Sequence, residues 1–274
     1  MKRVSIVGLG WLGMPLAQAL LRANYTVCGS KTTKDGVEAA NHCGVNTCQL
    51  QLTPELVCDN TALQELLNTD ALIITLPASR RVEGSSHYIQ SVQNLVNSAQ
   101  AAGVKRVIFT SSTSVYGNNH GDMIEQSPLQ PETEAGRSLM KLEAWLHDMP
   151  GIDVDILRLA GLVGPGRHPG RFLAGKKGLT GGAQRVNLVH LDDVISAIFL
   201  LLETPSQGRV FNLCAKMHPR RDAYYPKVAR LLGVAEPEFV ETGQDGGKII
   251  NGQAICKTLG FQYQFSDPYT MTIQ

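Results

Sequence analysis

The 274-residue sequence has no apolar run long enough to cross a bilayer. Its most apolar stretch, Val194–Leu202, is less than half of the roughly 20 residues that a spanning helix needs. It also lacks charge of one sign: 25 Lys and Arg stand against 24 Asp and Glu. No strong field is available to hold nucleic acid or an anionic membrane, and neither is expected as a partner. The six cysteines, Cys28, Cys43, Cys48, Cys58, Cys214 and Cys256, form no Cys-x-x-Cys pair and no metal-ligand spacing. No metal site is expected, and the thiols are expected to be reduced, packed as small apolar residues of a cytoplasmic protein. No apolar leader with a small-residue cleavage site is visible, because residues 1–7 lead straight into a glycine-rich turn. Repeats and low-complexity tracts are missing as well.

What is present is an alternation. Val4–Val7, Thr26–Gly29, Ala71–Leu76, Val107–Thr110 and Val154–Leu159 are dense in Val, Ile and Leu without a clean period of two. That pattern suits strands covered on both faces, as in a parallel sheet. Between them, Leu12, Leu16, Leu20 and Ala23 share one helical stripe, Ile89, Val92, Val96 and Ala99 a second, and Leu139, Leu142 and Leu146 a third. Alternating β and α segments predict an α/β fold, a Rossmann-type doubly wound parallel sheet with right-handed crossovers. After Ala160 the texture changes. Residues Gly161–Gly182 are rich in Gly, Arg and Lys without periodicity, and read as a long loop region near a site. Order resumes with a strand at Val186–His190, a helix from Asp192 to about Glu203, a strand at Val210–Leu213 and a helix at Asp222–Leu232, before a docked tail from Gln244. The expected division is a dinucleotide-binding core over 1–160, and over 161–274 an interleaved C-terminal part with the last core elements and a small substrate-side lobe.

The most specific local motif is Ser5-Ile-Val-Gly-Leu-Gly-Trp-Leu-Gly13. Gly8, Gly10 and Gly13 follow a strand and open a helix, the context in which Gly-x-Gly-x-x-Gly signals dinucleotide binding. Gly8 permits the tight turn, Gly10 lets the backbone approach a pyrophosphate, and Gly13 lets helix and strand pack closely. The helix N-terminus then offers N–H groups and a partial positive charge to the diphosphate. At the end of the second strand, an NAD protein places an acid against the ribose hydroxyls. Here the residues are Ser30, Lys31 and Thr32, with no carboxylate to repel a 2′-phosphate. A charge-assisted hydrogen bond contributes about 1.5–3 kcal/mol, so NADP(H) is expected over NAD(H).

Four further segments appear in order: Val107–Gly117 (VIFTSSTSVYG), Val154–Arg167 (VDILRLAGLVGPGR), Val186–Val194 (VNLVHLDDV) and Gly208–Cys214 (GRVFNLC). Together with the glycine turn they resemble the extended short-chain dehydrogenase/reductases, in the epimerase/dehydratase branch, over most of residues 1–214. The resemblance implies NAD(P) binding and action on nucleotide sugars or small carbonyl compounds. It implies a cofactor site running from Gly8, Leu9, Gly10, Trp11, Leu12 and Gly13 through Ser30, Lys31 and Thr32. From there the site would pass Leu76, Pro77, Thr110 and Ser111 to Leu159, Gly161 and Leu162. A homodimer through two helices is a further implication.

The resemblance breaks at the proton-transfer pair. Ser112 matches the serine of that branch, but AGRSLMKLE (Ala135–Glu143) places Ala135 at its tyrosine and Leu139 at its lysine. Neither side chain transfers a proton, and a register pairing Arg137 with Lys141 offers a poor acid or base. Ser112 and Thr113 remain as groups able to bind a substrate oxygen. Tyr116 is either a phenol near the ligand end of the sheet or an aromatic that packs the loop. His87 is either a general base or a helix-start histidine.

Arg158, Arg167, His168, Arg171, Lys176 and Lys177 form a basic stretch suited to an anionic small-molecule substrate, or to a solvated loop. By the resemblance, Arg167, His168, Arg171, Asn187 and His190 face that substrate. Asp192 or Asp193 reads as a helix cap. Two functions follow. One is an enzyme, an NADP(H)-dependent oxidoreductase, epimerase or dehydratase. The other is a binding protein that senses NADP(H) or a metabolite without turnover.

Overall fold

The computed structural model describes residues 2–53, 55–78, 82–240 and 246–271. Its main sheet has seven strands: β1 (Arg3–Val7), β2 (Thr26–Lys31), β3 (Asn46–Gln49), β4 (Ala71–Ile74), β5 (Arg106–Ser112), β6 (Asp153–Leu159) and β7 (Val210–Leu213). Their order is β7-β6-β5-β4-β1-β2-β3. The pairs β1/β2, β1/β4, β2/β3 and β4/β5 are parallel. Chain order reverses between β1 and β4, the switch point at which open α/β sheets bind ligands. Every residue of β4 is buried, as are five of the seven in β5. That is why the sequence shows apolar runs there and not alternation. β3 was not among the expected strands. It is a short edge strand of sequence NTCQ, and an edge needs little apolar character.

Helices α1 (Gly13–Arg22), α2 (Lys34–His42), α3 (Asn60–Leu67), α4 (Val82–Ala101), α5 (Glu134–His147), α6 (Leu191–Glu203), α7 (Arg221–Leu231) and α8 (Ala254–Leu259) alternate with the strands or follow them. Thr33, Asp59 and Thr133 cap α2, α3 and α5 by accepting from the backbone N–H groups of Gly36, Ala62 and Gly136 at 3.2, 3.0 and 3.1 Å. Such a cap contributes about 1 kcal/mol. The three apolar stripes of the sequence lie on α1, α4 and α5, with Leu16, Leu20, Val92, Val96, Leu142 and Leu146 buried.

The chain divides into two compact units, and a single boundary near 160 does not describe them. The first comprises Met1–Val115, Pro131–Leu157 and Ile198–Val210; the second comprises Tyr116–Gln130, Arg158–Ala197 and Phe211–Gln274. Within the second, Gly161–Val163 pairs parallel with Leu188–His190, and Gly121–Met123 with Lys248–Ile250. Its core gathers Val163, Val186, Leu188, Ala215, Tyr224, Val228 and Met271. The stretch Gly161–Gly182, expected to be irregular throughout, contains that short strand and a 3-10 turn at Pro169–Arg171. The expected start of the tail, Gln244, lies outside the described residues.

Candidate functional site

In the first unit the glycine turn forms one wall of a cavity of about 510 Å³. Gly8 has φ +103°, open to glycine and strained for any other residue. A Cβ on Gly13 would be driven into the Gly8 carbonyl oxygen, so the third glycine is fixed by turn-against-helix packing. Gly10 is different: the nearest atom to a Cβ there is 4.0 Å away, and its outer side is open. The turn is locked from below by Thr75, whose hydroxyl donates to the Gly8 carbonyl at 2.6 Å. A Cβ on Gly29 would lie 2.5 Å from Leu9 Cδ1, which requires glycine in β2 as well. Neither Thr75 nor Gly29 was singled out by motif, because both act only through contacts across β1. α1 begins with no side-chain cap and no acid in its first turn, so the positive end of its dipole is left for an anion.

The cavity brings together Gly8, Leu9, Gly10, Ser30, Lys31, Thr32, Leu76 and Pro77 from the expected cofactor set. Trp11, Leu12 and Gly13 belong to the same turn but do not line it, and Leu12 and Gly13 are buried at the start of α1. Val7, Leu50, Leu52, Thr75, Gly84, His87, Tyr88 and Ser91 were missed as lining, apart from the separate suggestion of His87 as a base. His87 and Tyr88 are neighbours on α4 and Ser91 lies one turn further on, a face whose role becomes visible only once Tyr88 is placed against the Leu76 carbonyl. Tyr88 donates to the Leu76 carbonyl at 3.2 Å and steadies the strand end; burial raises its phenol pKa. No Asp or Glu is among the described lining residues. Lys31 lays its aliphatic stem 3.4 Å from a Cβ position on Gly36, and the Leu50 N–H donates to the Lys31 carbonyl at 2.8 Å.

The ends of β4 and β5 look different from expectation. Thr110 is buried and donates to the Ile74 carbonyl at 3.1 Å. Ser111 is buried and donates to the Glu143 carboxylate of α5. Their hydroxyls tie β5 to β4 and to α5, and neither residue is among the described residues that line the cavity. Ser112 is half-buried, and its hydroxyl accepts from the Ser114 N–H at 3.1 Å, closing the turn at the start of the 3-10 segment Thr113–Tyr116. Thr113 is buried in that turn. On α5, Leu139 is buried where the resemblance calls for a lysine.

In the second unit the structure corrects Tyr116. It is fully buried, and its hydroxyl lies 2.8 Å from Asn212 Oδ1, 3.0 Å from the Ile124 carbonyl and 2.8 Å from Arg158 Nη1, which donates to it. Burial raises its pKa against the opposing pull of the Arg158 charge. Of its two expected roles it takes the loop-packing one. Arg158 leaves the basic stretch for the same reason: it is buried and also donates to the Glu125 carbonyl at 2.9 Å.

The Asn187 side chain is engaged within the fold. Its side chain donates to the Lys248 carbonyl at 3.0 Å and accepts from the Ile250 N–H at 2.8 Å, clipping two chain segments together. His190 is buried, stacks on Phe265 with ring centroids 3.9 Å apart, and accepts at Nδ1 from the Asp192 N–H at 3.2 Å. Its Nε2 is buried without a hydrogen-bond partner, and burial lowers the imidazole pKa. Asp193 is not a cap. Its buried carboxylate accepts from the Gln264 and Phe265 N–H groups at 2.7 and 3.2 Å and pins the C-terminal segment, while burial raises its pKa.

His168 caps the turn Pro169–Arg171, with Nδ1 accepting from the Gly170 N–H at 2.9 Å; burial and then Arg171 lower its pKa. Arg167 and Arg171 extend from that turn as exposed side chains. Lys177 pairs with Glu238 at 2.9 Å. Leu159, Gly161 and Leu162 also belong to this unit and do not line the cavity; Gly161 donates to the Asn187 carbonyl at 3.0 Å. Among the described residues no group of three or more His, Cys, Asp or Glu is arranged to hold a metal.

Residues 4–214 match the profile described as the NAD dependent epimerase/dehydratase family. Protein YeeZ of Escherichia coli strain K12 is 56% identical over 275 residues, covering 100% of both chains. Among solved structures, a short-chain dehydrogenase/reductase superfamily protein from Agrobacterium tumefaciens with bound NAD superposes with a TM-score of 0.76 at 21% identity, over 96% of this chain and 93% of that one. UDP-glucose 4-epimerase from Thermotoga maritima with UDP-glucose gives a TM-score of 0.77 at 18% identity, over 96% of this chain and 94% of that one. At such identities the two structures speak for the fold.

Proposed function

Because this chain belongs to the NAD dependent epimerase/dehydratase family, we propose that it binds NADP(H) in preference to NAD(H). We further infer that it acts as an oxidoreductase, epimerase or dehydratase on an anionic small molecule such as a nucleotide sugar. The observation that carries the reading is the cavity in which the glycine turn and Ser30-Lys31-Thr32 share one space, with no carboxylate among its described lining residues. The residues fit a dinucleotide. Gly10 leaves room for a pyrophosphate, uncapped α1 points a positive dipole at it, and Lys31 offers an ammonium to a 2′-phosphate. When bound, the nicotinamide supplies a hydride acceptor or donor. The chain's own contributions are to hold the diphosphate at the turn, to bind a substrate oxygen at Ser112, and to receive substrate anions at Arg167 and Arg171. Proton transfer does not come from the tyrosine–lysine pair of the extended short-chain dehydrogenases, since Ala135 and Leu139 stand there. His87, which borders the cavity, is the titratable group offered in its place.

The second reading is a nucleotide sensor without turnover, favoured by Ala135, Leu139 and the buried Tyr116. Calorimetry with NADPH and NADH, repeated on Lys31→Asp, tests the cofactor half. NADPH is expected to bind more tightly, and the variant to lose about ten- to a hundredfold in NADPH affinity while NADH changes little. Equal affinities that the variant leaves untouched overturn the preference. Following NADPH absorbance across a panel of nucleotide sugars separates enzyme from sensor: turnover lost in Ser112→Ala supports the first, and tight binding with no turnover supports the second.

A further inference from the structure

Ser30, Lys31 and Thr32 line the nucleotide cavity, yet their backbone is held from the side of β3. The Lys31 carbonyl accepts from the Leu50 N–H at 2.8 Å. The Thr32 carbonyl accepts from the Gln49 side-chain amide at 3.0 Å, and the Gln51 amide stands 3.5 Å from the same oxygen. Gln49 and Gln51 border a separate cavity of about 360 Å³ and are not among the described residues that line the nucleotide cavity. Two consecutive carbonyls, the acceptors that would oppose a phosphate, are thus already engaged. Ser30 and Thr32 bring hydroxyls to the cavity and Lys31 an ammonium, all able to donate. On the other side of the loop stands Gly36, the third residue of α2. A helical glycine costs stability against alanine. Gly36 is not among the glycines of positive φ, so its backbone has no need of glycine. A Cβ there would meet Thr33 Oγ1 at 3.0 Å and Lys31 Cβ and Cδ at 3.4 Å. The Lys31 stem therefore lies against the first turn of α2, in space that a branched side chain at position 36 would claim.

We propose that Gln49 and Gly36 are specificity-determining positioning residues: Gln49 holds the Thr32 carbonyl away from the nucleotide, Gly36 seats the Lys31 stem against α2, and together they set the preference for the 2′-phosphate of NADP(H). The proposal rests on the NADP(H) reading of the cavity given above and adds to it residues that touch no nucleotide. Its logic is the difference between the two cofactors at one atom. NAD(H) has a 2′-hydroxyl, which can donate to a carbonyl as well as accept. NADP(H) has a phosphate there, which at neutral pH only accepts. A Thr32 carbonyl released from Gln49 and turned inward is therefore neutral toward NAD(H) and hostile to NADP(H). Lys31 acts in the same direction. Its ammonium sits on a flexible four-carbon stem, and ordering that stem costs conformational entropy when a phosphate is bound. A stem already packed on α2 has lost part of that freedom before the nucleotide arrives, so less is lost on binding.

The test is calorimetry with NADPH and with NADH on the full chain and on Gln49→Met, which keeps the length of the side chain and removes its donor. NADPH affinity is expected to fall by about two- to tenfold, with NADH affinity and the thermal midpoint unchanged. Gly36→Val is expected to lower NADPH affinity by about the same factor without lowering the midpoint, because valine is the better helix former. Gln51→Met, whose amide stands farther from Thr32, is expected to have the smaller effect. A Lys31→Ala background shows whether Gly36 acts through the lysine: Gly36→Val should then cost NADPH nothing further. Parallel losses of NADPH and NADH affinity make the two residues merely structural and overturn the proposal. So does an unmoved NADPH-to-NADH ratio in both variants of a protein that prefers NADPH. An unsubstituted chain that binds the two nucleotides equally overturns the cofactor reading, and the proposal with it, before any variant is measured.

Discussion

Around the glycine turn, the polar groups of Lys31, Thr32, His87 and Ser91 border open space. Around Tyr116, polar groups are closed on themselves: the phenol, the Asn212 amide, the Arg158 guanidinium and the Glu125 backbone bond one another in the interior of the second unit. Read as residue types, the second cluster looks more like a catalytic centre, since it holds a tyrosine, an arginine and an acid. The difference teaches that reactivity is decided by what a group lacks. A buried polar group with all its partners holds the fold together, because losing one of them costs about 1–3 kcal/mol. A polar group facing a cavity has its bonding capacity left for a ligand.

The largest expected effect separates two glycines within the open region. Gly13→Ala places a Cβ against the Gly8 carbonyl oxygen and is expected to abolish NADPH binding and lower the unfolding midpoint. Gly10→Ala meets nothing closer than 4.0 Å, so the midpoint should hold while NADPH affinity falls by at least about tenfold. Calorimetry and thermal unfolding on the same samples decide it. Equal losses of stability in both variants would remove the distinction between a packing glycine and a ligand-facing one.

The next effect belongs to the closed region. Tyr116→Phe removes the hydroxyl that Arg158 and Asn212 share, and is expected to cost about 1–3 kcal/mol in urea unfolding. NADPH affinity should stay as it is. A variant of full stability that no longer binds nucleotide would make Tyr116 part of the site after all.

The smallest effect concerns pH. Burial lowers the His190 pKa from its ordinary 6.5, so the folded protein refuses a proton that the unfolded chain takes up. The unfolded state then binds more protons below that value, and stability rises with pH through the window. His190 therefore contributes stability that is fully present above about pH 6.5 and is lost on acidification. His168 and His218 are shifted the same way. His190→Gln is expected to shrink, without abolishing, the loss of unfolding free energy between about pH 7 and 5, by at most about 1.4 kcal/mol per pH unit. An unchanged slope in urea titrations at the two pH values would show that the buried imidazole carries none of the pH dependence.

By itself the sequence determined the α/β alternation, the glycine turn at the end of the first strand and the three apolar stripes. These are local facts: periodicity and a short motif. Edge strand β3 escaped because a sheet edge does not demand apolar residues. Only the tertiary structure decided which polar residues face space. Thr75, Gly29, Leu50 and Leu52 gain their roles through contacts between segments far apart in the chain, and the polar groups of Tyr116, Arg158 and Asn187 find their hydrogen-bond partners the same way. Residue type sets what a side chain is able to do; whether its hydrogen bonds are already spent inside the fold is set by neighbours that no local pattern names.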